Sequence, residues 1–101
     1  MRMTLHLRGD VDIRGGLQDA MDDGARTVVL DLAEVQFMDS TGLGMIAWLH
    51  RRLQERGGQV CVASPRPMVL RLLELASMDR LVGIYGTVEA AESALPAAAD
   101  G

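Results

Sequence analysis

A short and nearly continuous apolar run, Thr27-Val28-Val29-Leu30-Asp31-Leu32, is the feature that most constrains the fold of this chain. The run is rich in β-branched residues and lacks the polar alternation of a half-exposed strand. It therefore predicts a strand that is covered on both faces of a sheet. Parallel strands joined by helical crossovers provide such cover, because the crossovers pack on the sheet faces. We expect an α/β domain.

Strand and helix patterns alternate along the whole chain. Predicted strands cover residues 3–8, 27–32, 59–63 and 81–85. Predicted helices cover residues 17–23, 42–56, a segment that begins at Pro67, and residues 87–95, with Thr87 as the N-cap of the last helix. Pro67 is suited to the first turn of a helix, and Gly57-Gly58 is a helix stop signal. The order predicts a mostly parallel four-stranded sheet with about four helices in a domain over residues 1–95, followed by a frayed tail over residues 96–101.

The predicted helix over residues 42–56 has an apolar stripe at helical spacing. The residues expected to face the core are Leu43, Ile46, Ala47, His50 and Leu53. Met45 and Trp48 fall off this stripe. They either cover neighbouring strands or contact a protein partner.

The junction between the central strand and this helix contains the turn Asp39-Ser40-Thr41-Gly42, called the 39–42 turn below. Asp39, Ser40 and Thr41 are all residue types that cap helix N-termini, where the first-turn N–H groups lack helical partners. One interpretation is a simple cap, which contributes about 0.5 to 2 kcal/mol. The other is a regulatory serine, because a helix N-terminus also accommodates the charge of a phosphate on Ser40. The turn follows the carboxyl end of a strand, where α/β folds place their functional crevice.

The charge of the chain disfavours nucleic acid as a partner. The 101 residues carry a net charge of −4, and the segment before Ser40 is strongly acidic whereas residues 50–80 carry an excess of arginine. An acidic surface near the 39–42 turn would repel nucleic acid and favour a partner with a basic surface. The sequence shows neither an apolar run long enough to cross a membrane nor a signal peptide, so we expect a cytoplasmic protein without membrane insertion.

Residues that could support catalysis or bind a metal are few. The chain contains no Lys and no Gly-rich run that ends in one, which argues against a nucleotide-binding loop of the Walker type. His6 and His50 are expected to pack or cap, and Cys61 lies in an apolar run typical of a buried thiol. Asp10 and Asp12 form an acidic pair without further recognisable ligands. We therefore predict no enzymatic activity, no metal and no cofactor.

Several segments, taken in order, resemble the STAS-domain anti-sigma-factor antagonists. The resemblance extends from residue 8 to residue 94, and its most specific part is Asp39-Ser40-Thr41-Gly42-Leu43-Gly44 after an apolar strand. Weaker parts are Gly9-Asp10-Val11-Asp12, Val28-Val29-Leu30-Asp31-Leu32, Gly57-Gly58-Gln59-Val60, Ser64-Pro65 and Leu73-Glu74-Leu75.

The resemblance implies a function by partner switching. The unphosphorylated protein would bind an anti-sigma factor that is also a GHKL-type serine kinase, and a sigma factor would be released. The kinase would then phosphorylate Ser40, or less favourably Thr41, and a PP2C-type phosphatase would reverse the modification. The residues expected at the partner surface are Asp12, Asp39, Thr41, Gly42, Leu43, Met45 and Trp48.

Two features depart from the family pattern. The family usually has a strand ahead of the Gly9 segment and a longer first helix, so we expect a shortened N-terminal strand region, a short first helix and an exposed sheet edge. An alternative function is that of a STAS subunit in a lipid-transport ABC complex or a stressosome-like assembly.

Overall fold

The fold is a four-stranded parallel sheet with helices on both faces. A computed structural model of the chain describes residues 2–8, 18, 22, 24 and 26–95. The strands β1 (Arg2–Arg8), β2 (Thr27–Glu34), β3 (Gln59–Ala63) and β4 (Gly83–Tyr85) pair in the order β1-β2-β3-β4. The helices whose bounds lie within residues 26–95 are α1 (Ser40–Glu55), α2 (Pro67–Leu75) and α3 (Val88–Ala94), with a short 3-10 helix at Met78–Arg80. All strand pairs are parallel, which confirms the predicted fold class.

The two faces of the sheet form two separate cores. The larger core packs one face of the sheet against α1 and α2, and the smaller core packs the other face against α3. Successive residues of β2 alternate between them: Val28 and Leu30 face the larger core, whereas Val29 faces the smaller one. All three are fully buried. The continuous apolar pattern of this strand therefore has the predicted cause, which is cover on both faces.

Helix α1 ends in a Schellman motif at the predicted Gly57-Gly58 pair. The Gly57 N–H donates to the Gln54 carbonyl at 3.1 Å, and the Gly58 N–H donates to the Leu53 carbonyl at 2.8 Å. Gly57 has a φ of +75°, which favours glycine. At Gly58 a Cβ atom would lie 1.8 Å from the Arg26 carbonyl oxygen, so this position has no space for a side chain.

The predicted core stripe of α1 was partly wrong. The buried residues of α1 are Gly42, Ile46, Leu49 and Leu53. Leu49, which the predicted stripe omitted, is fully buried, whereas His50 is only half-buried. The buried face is rotated because Gly42 lies against Met38 in the loop that follows β2. The residues on the same helical face as Gly42, which are Ile46, Leu49 and Leu53, therefore face the core.

Several predicted boundaries moved by a few residues. Helix α1 begins at Ser40 rather than at residue 42, β2 continues to Glu34, and β4 begins at Gly83. Thr87 caps α3 as expected, since its hydroxyl accepts the Ala90 N–H at 3.0 Å. Of the predicted helix 17–23, residues 18 and 22 are described and helical, whereas the rest of it and the tail 96–101 lie outside the described residues. None of the helices in the described part of the chain is long and apolar enough to cross a membrane.

Candidate functional site

The segment that joins β2 to α1 presents one aromatic side chain at the carboxyl edge of the sheet. Val35 and Met38 are buried and attach this segment to the larger core. Phe37 lies between them and is 66% exposed. An exposed aromatic side chain costs solvation free energy in the isolated protein and is a frequent anchor in protein interfaces.

Asp39 is the N-cap of α1. Its backbone is extended, and its Oδ1 atom accepts the Thr41 N–H at 3.0 Å and the Gly42 N–H at 3.2 Å. The Asp39 carbonyl accepts the Leu43 N–H at 3.1 Å and begins the helical hydrogen-bond pattern. The carboxylate therefore occupies two of the first-turn N–H groups that could otherwise bind an anion.

Ser40 and Thr41 are the first two residues of α1, and both are exposed to solvent. Either hydroxyl is therefore accessible to a modifying enzyme. Gly42 in contrast is buried. A Cβ atom at Gly42 would lie 2.8 Å from Cγ of Met38, so glycine allows the first turn of the helix to approach the preceding loop. Gly44 is exposed, and a Cβ atom there would have no neighbour within 4 Å.

The predicted partner residues that follow the 39–42 turn are less exposed than Ser40 and Thr41. Leu43, Met45 and Trp48 are half-buried and pack against the larger core. Of the two alternatives for Met45 and Trp48, this packing favours cover of the neighbouring strands. Trp48 is more than two helical turns from Ser40. Asp12 lies outside the described residues.

Trp48 forms part of a second surface, at the C-terminal half of α1. The Arg52 guanidinium lies 5.7 Å from the centre of the indole ring, a cation–π distance. A cavity of about 230 Å³ is lined by Gln18, Asp22, Trp48, Arg52, Glu55 and Arg56. The structure therefore groups Asp39, Ser40, Thr41 and Gly42 in one place and separates Trp48 from them.

Phe37 is the functional candidate that sequence reasoning missed. The chain has three aromatic residues, one each of Phe, Tyr and Trp, and Phe37 directly precedes the buried Met38. Its position in a predicted loop beside the 39–42 turn was the available signal. Its exposure depends on which loop residues face the core, and the sequence pattern does not specify that choice.

The remaining titratable candidates do not converge on Ser40. His6 Nδ1 lies 2.6 Å from Asp31 Oδ2, on the face opposite to α1. Cys61 is only 2% exposed, and burial, with a smaller contribution from Glu92, raises the pKa of its thiol to about 11. Within the described ranges, no three His, Cys, Asp or Glu side chains are close enough to hold a metal ion.

Comparison with known proteins identifies the same family as the motif. Residues 5–91 match the STAS domain family. A curated relative, the anti-sigma F factor antagonist of Paenibacillus polymyxa, is 38% identical over 58 residues. That match covers 57% of this chain and 50% of the relative, so the chain spans about half of the relative's length.

Solved structures show the same fold. The anti-sigma factor antagonist SpoIIAA in its unphosphorylated form superimposes with a TM-score of 0.74 at 22% identity, over 89% of this chain and 84% of SpoIIAA. The STAS domain of a SulP transporter from Vibrio cholerae superimposes with a TM-score of 0.76 at 23% identity, over 89% of this chain and 77% of that domain. At these identities the likeness concerns the fold alone. Together with the family match over most of its length, it shows that this chain belongs to the STAS domain family.

Proposed function

We propose that this protein is a non-enzymatic anti-sigma-factor antagonist that binds an anti-sigma factor and is switched off by phosphorylation of Ser40. The observation that carries the proposal is the geometry of the 39–42 turn: an exposed serine directly follows an aspartate that already caps the helix. The relative named as an anti-sigma F factor antagonist supports the partner class.

The cap explains how a phosphate could change the surface without unfolding the helix. Asp39 holds the Thr41 and Gly42 N–H groups, so α1 stays capped whether or not Ser40 is modified. A phosphate would add a charge of about −1.5 to −2 beside the Asp39 carboxylate. Unit charges about 4 Å apart repel by about 1 kcal/mol in water and about 4 kcal/mol near a protein surface. The modified turn would thus be strongly anionic while the fold is retained.

The partner surface consists of exposed residues around Ser40. Phe37 provides an apolar anchor on one side, and Thr41 and Gly44 lie on the exposed part of the first helical turns. Gly42, Leu43 and Met45 support this surface by packing beneath it. Glu34 and Asp39 are exposed on the same segment and favour a basic partner surface. A phosphate on Ser40 would nevertheless weaken binding, because the interface would bury Ser40 and leave neither the space nor the solvation that the phosphate requires.

The proposal assigns the remaining roles to partner proteins. A GHKL-type serine kinase, which is the anti-sigma factor itself, would transfer phosphate from ATP to the Ser40 hydroxyl, and a PP2C-type phosphatase would remove it. The protein would act in the cytoplasm, where this kinase has access to ATP. Asp12 would border the partner surface, as the family resemblance implies.

The test is phosphorylation by the cognate anti-sigma factor, which is isolated by its binding to the unmodified protein. After incubation with this kinase, ATP and Mg²⁺, mass spectrometry should locate one phosphate on Ser40, and Ser40→Ala should remove it. Thr41→Ala is the matched control and should leave modification unchanged. Phosphate on Thr41 in the wild-type protein would reassign the acceptor, and an unmodified protein would refute the proposed mechanism.

A second candidate function is favoured by a curated relative, sulfate transporter 2.2 of Arabidopsis thaliana, which is 33% identical over 70 residues, or 66% of this chain and 10% of the relative. In this case the protein is a STAS subunit of a transport or stressosome-like assembly, and it binds its partner without phosphate turnover. The two functions are distinguished by the same isolation experiment. Recovery of a transport ATPase or a stressosome component instead of a serine kinase would support the second function.

A further inference from the structure

The carboxyl end of β2 contains a bulge. His6 of β1 lies opposite Asp31, but Arg8 lies opposite Glu34, so β2 has one residue more than β1 over this stretch. A bulge bends its strand and removes the extra residue from the regular ladder. It lies directly ahead of the segment that leads to Ser40.

Side chains hold both backbone polar groups of Ala33, which lies in the bulge between Asp31 and Glu34. The Ala33 N–H donates to Asp31 Oδ1 at 3.0 Å, and the Ala33 carbonyl accepts from Arg66 Nε at 2.9 Å. Asp31 is in turn held by His6 through its other carboxylate oxygen. The peptide at the point where β2 leaves the sheet is therefore fixed by its own strand, by β1 and by the loop between β3 and α2.

The position of Arg66 favours a role in orienting the segment that follows β2 rather than in stabilising the whole fold. Arg66 precedes the first residue of α2, but its side chain makes no cap hydrogen bond to that helix. The side chain is exposed and reaches across to the β2 segment. An exposed hydrogen bond contributes little to global stability, whereas it can select one direction for the chain that follows.

We propose that Arg66 is a positioning residue for the 39–42 turn, which it orients by holding the Ala33 carbonyl. The expected effect of Arg66 on the phosphorylation of Ser40 rests on the proposed function, because it requires that a kinase modifies Ser40. Two contacts connect the bulge to the turn. The Val35 N–H donates to the Leu32 carbonyl at 3.0 Å, and Met38 is buried in the core, so the direction of the chain at Ala33 determines where the 39–42 turn lies.

Two substitutions distinguish the effect of the Arg66 Nε–H donor from the effect of the rest of the side chain. Arg66→Gln retains an N–H donor at the same number of bonds from the backbone as Nε, whereas Arg66→Met retains the length but has no donor. Arg71→Met on the exposed face of α2 is the matched control, because it removes an arginine without removing this hydrogen bond. The measurements are amide hydrogen exchange of the isolated protein, the thermal midpoint, and the rate of Ser40 phosphorylation.

We expect Arg66→Met to accelerate exchange at the Val35, Thr41 and Gly42 amides by about 2- to 10-fold, the range that corresponds to one hydrogen bond. Exchange within β3 and the thermal midpoint should stay close to wild type, and phosphorylation should slow by a similar factor. Arg66→Gln should restore both local exchange and rate, and Arg71→Met should alter neither.

The proposal would be overturned by unchanged local exchange in Arg66→Met, by an increase spread over the whole sheet, or by a failure of Arg66→Gln to restore wild-type exchange. Normal phosphorylation kinetics despite faster local exchange would also contradict it. Since hydrogen exchange requires no kinase, absence of phosphorylation in the wild-type protein would refute the proposed function and leave the test of positioning by Arg66 valid.

Discussion

Alanine substitution should be less favourable to stability at Gly42 than at Gly44, although both glycines belong to the same helix and the same motif. At Gly42 the new Cβ would lie 2.8 Å from Cγ and 3.5 Å from Sδ of Met38. Met38 is only 4% exposed and is part of the larger core, so it cannot move without disturbing other buried side chains. Overpacking of this kind costs about 1 to 3 kcal/mol, and the better helix propensity of Ala offsets about 1 kcal/mol of it.

At Gly44 the same substitution meets no atom within 4 Å. Only the propensity term remains, and it should stabilise the protein by about 0.5 to 1 kcal/mol. Gly44→Ala should therefore be more stable than wild type, and Gly42→Ala should be less stable than Gly44→Ala by about 1 to 3 kcal/mol, which is the overpacking cost.

Urea unfolding followed by tryptophan fluorescence measures this difference, since Trp48 is the single tryptophan and lies half-buried on α1. Substitution of Met38 by Ala removes the side chain that Gly42→Ala would meet. The cost of Gly42→Ala should therefore be smaller in a Met38→Ala background, as a double-mutant cycle would show. Equal free energies of unfolding for the two glycine variants, or a cost of Gly42→Ala that is independent of Met38, would refute the packing explanation.

Three further predictions concern single side chains. Asp39→Ala should lower the free energy of unfolding by about 0.5 to 2 kcal/mol in the urea assay. Asp39→Asn should lower it much less, because the Asn Oδ1 still accepts hydrogen bonds from the two N–H groups. An Asp39→Ala variant as stable as wild type would contradict the capping role. Phe37→Ala should change stability by no more than about 0.5 kcal/mol and weaken partner binding about tenfold or more, as calorimetry would show, and unchanged affinity would exclude Phe37 as an anchor. Burial, with a smaller contribution from Glu92, raises the pKa of the Cys61 thiol from its ordinary value of 9.0 to about 11 in the folded protein. The unfolded state therefore loses this proton at lower pH, and stability should fall as pH rises between these two pKa values. Urea unfolding of wild type and Cys61→Ala across this range tests this, and an identical pH dependence in both proteins would contradict it.

The elements that the sequence predicted well are those determined by local patterns. The β2 strand was predicted from its continuous apolar run because cover on both faces leaves no polar alternation. The end of α1 was predicted from Gly57-Gly58 because a left-handed residue at this position favours glycine. Thr87 was predicted as a cap for a similar local reason, and its hydroxyl does bond the Ala90 N–H.

The features that were missed depend on contacts between distant segments. The bulge at Ala33 depends on the register of β1 against β2 and on Arg66, which is far away in sequence. Three cap-forming residues follow one another at positions 39 to 41, and the sequence does not specify which of them is the N-cap. In the structure Asp39 has the extended backbone of the N-cap, so the helix begins at Ser40. The exposure of Phe37 results from the burial of its neighbour Met38, and the local pattern does not specify which side chain faces the core.

The central claim is tested most directly by the affinity of one anti-sigma factor for the unmodified and the Ser40-phosphorylated protein, measured by calorimetry at one salt concentration. Phosphorylation should weaken binding by at least about 100-fold, which corresponds to about 3 kcal/mol. Circular dichroism should show the same helix content in both forms, because Asp39 still caps α1. Equal affinities of the two forms would contradict the proposal that Ser40 controls partner binding.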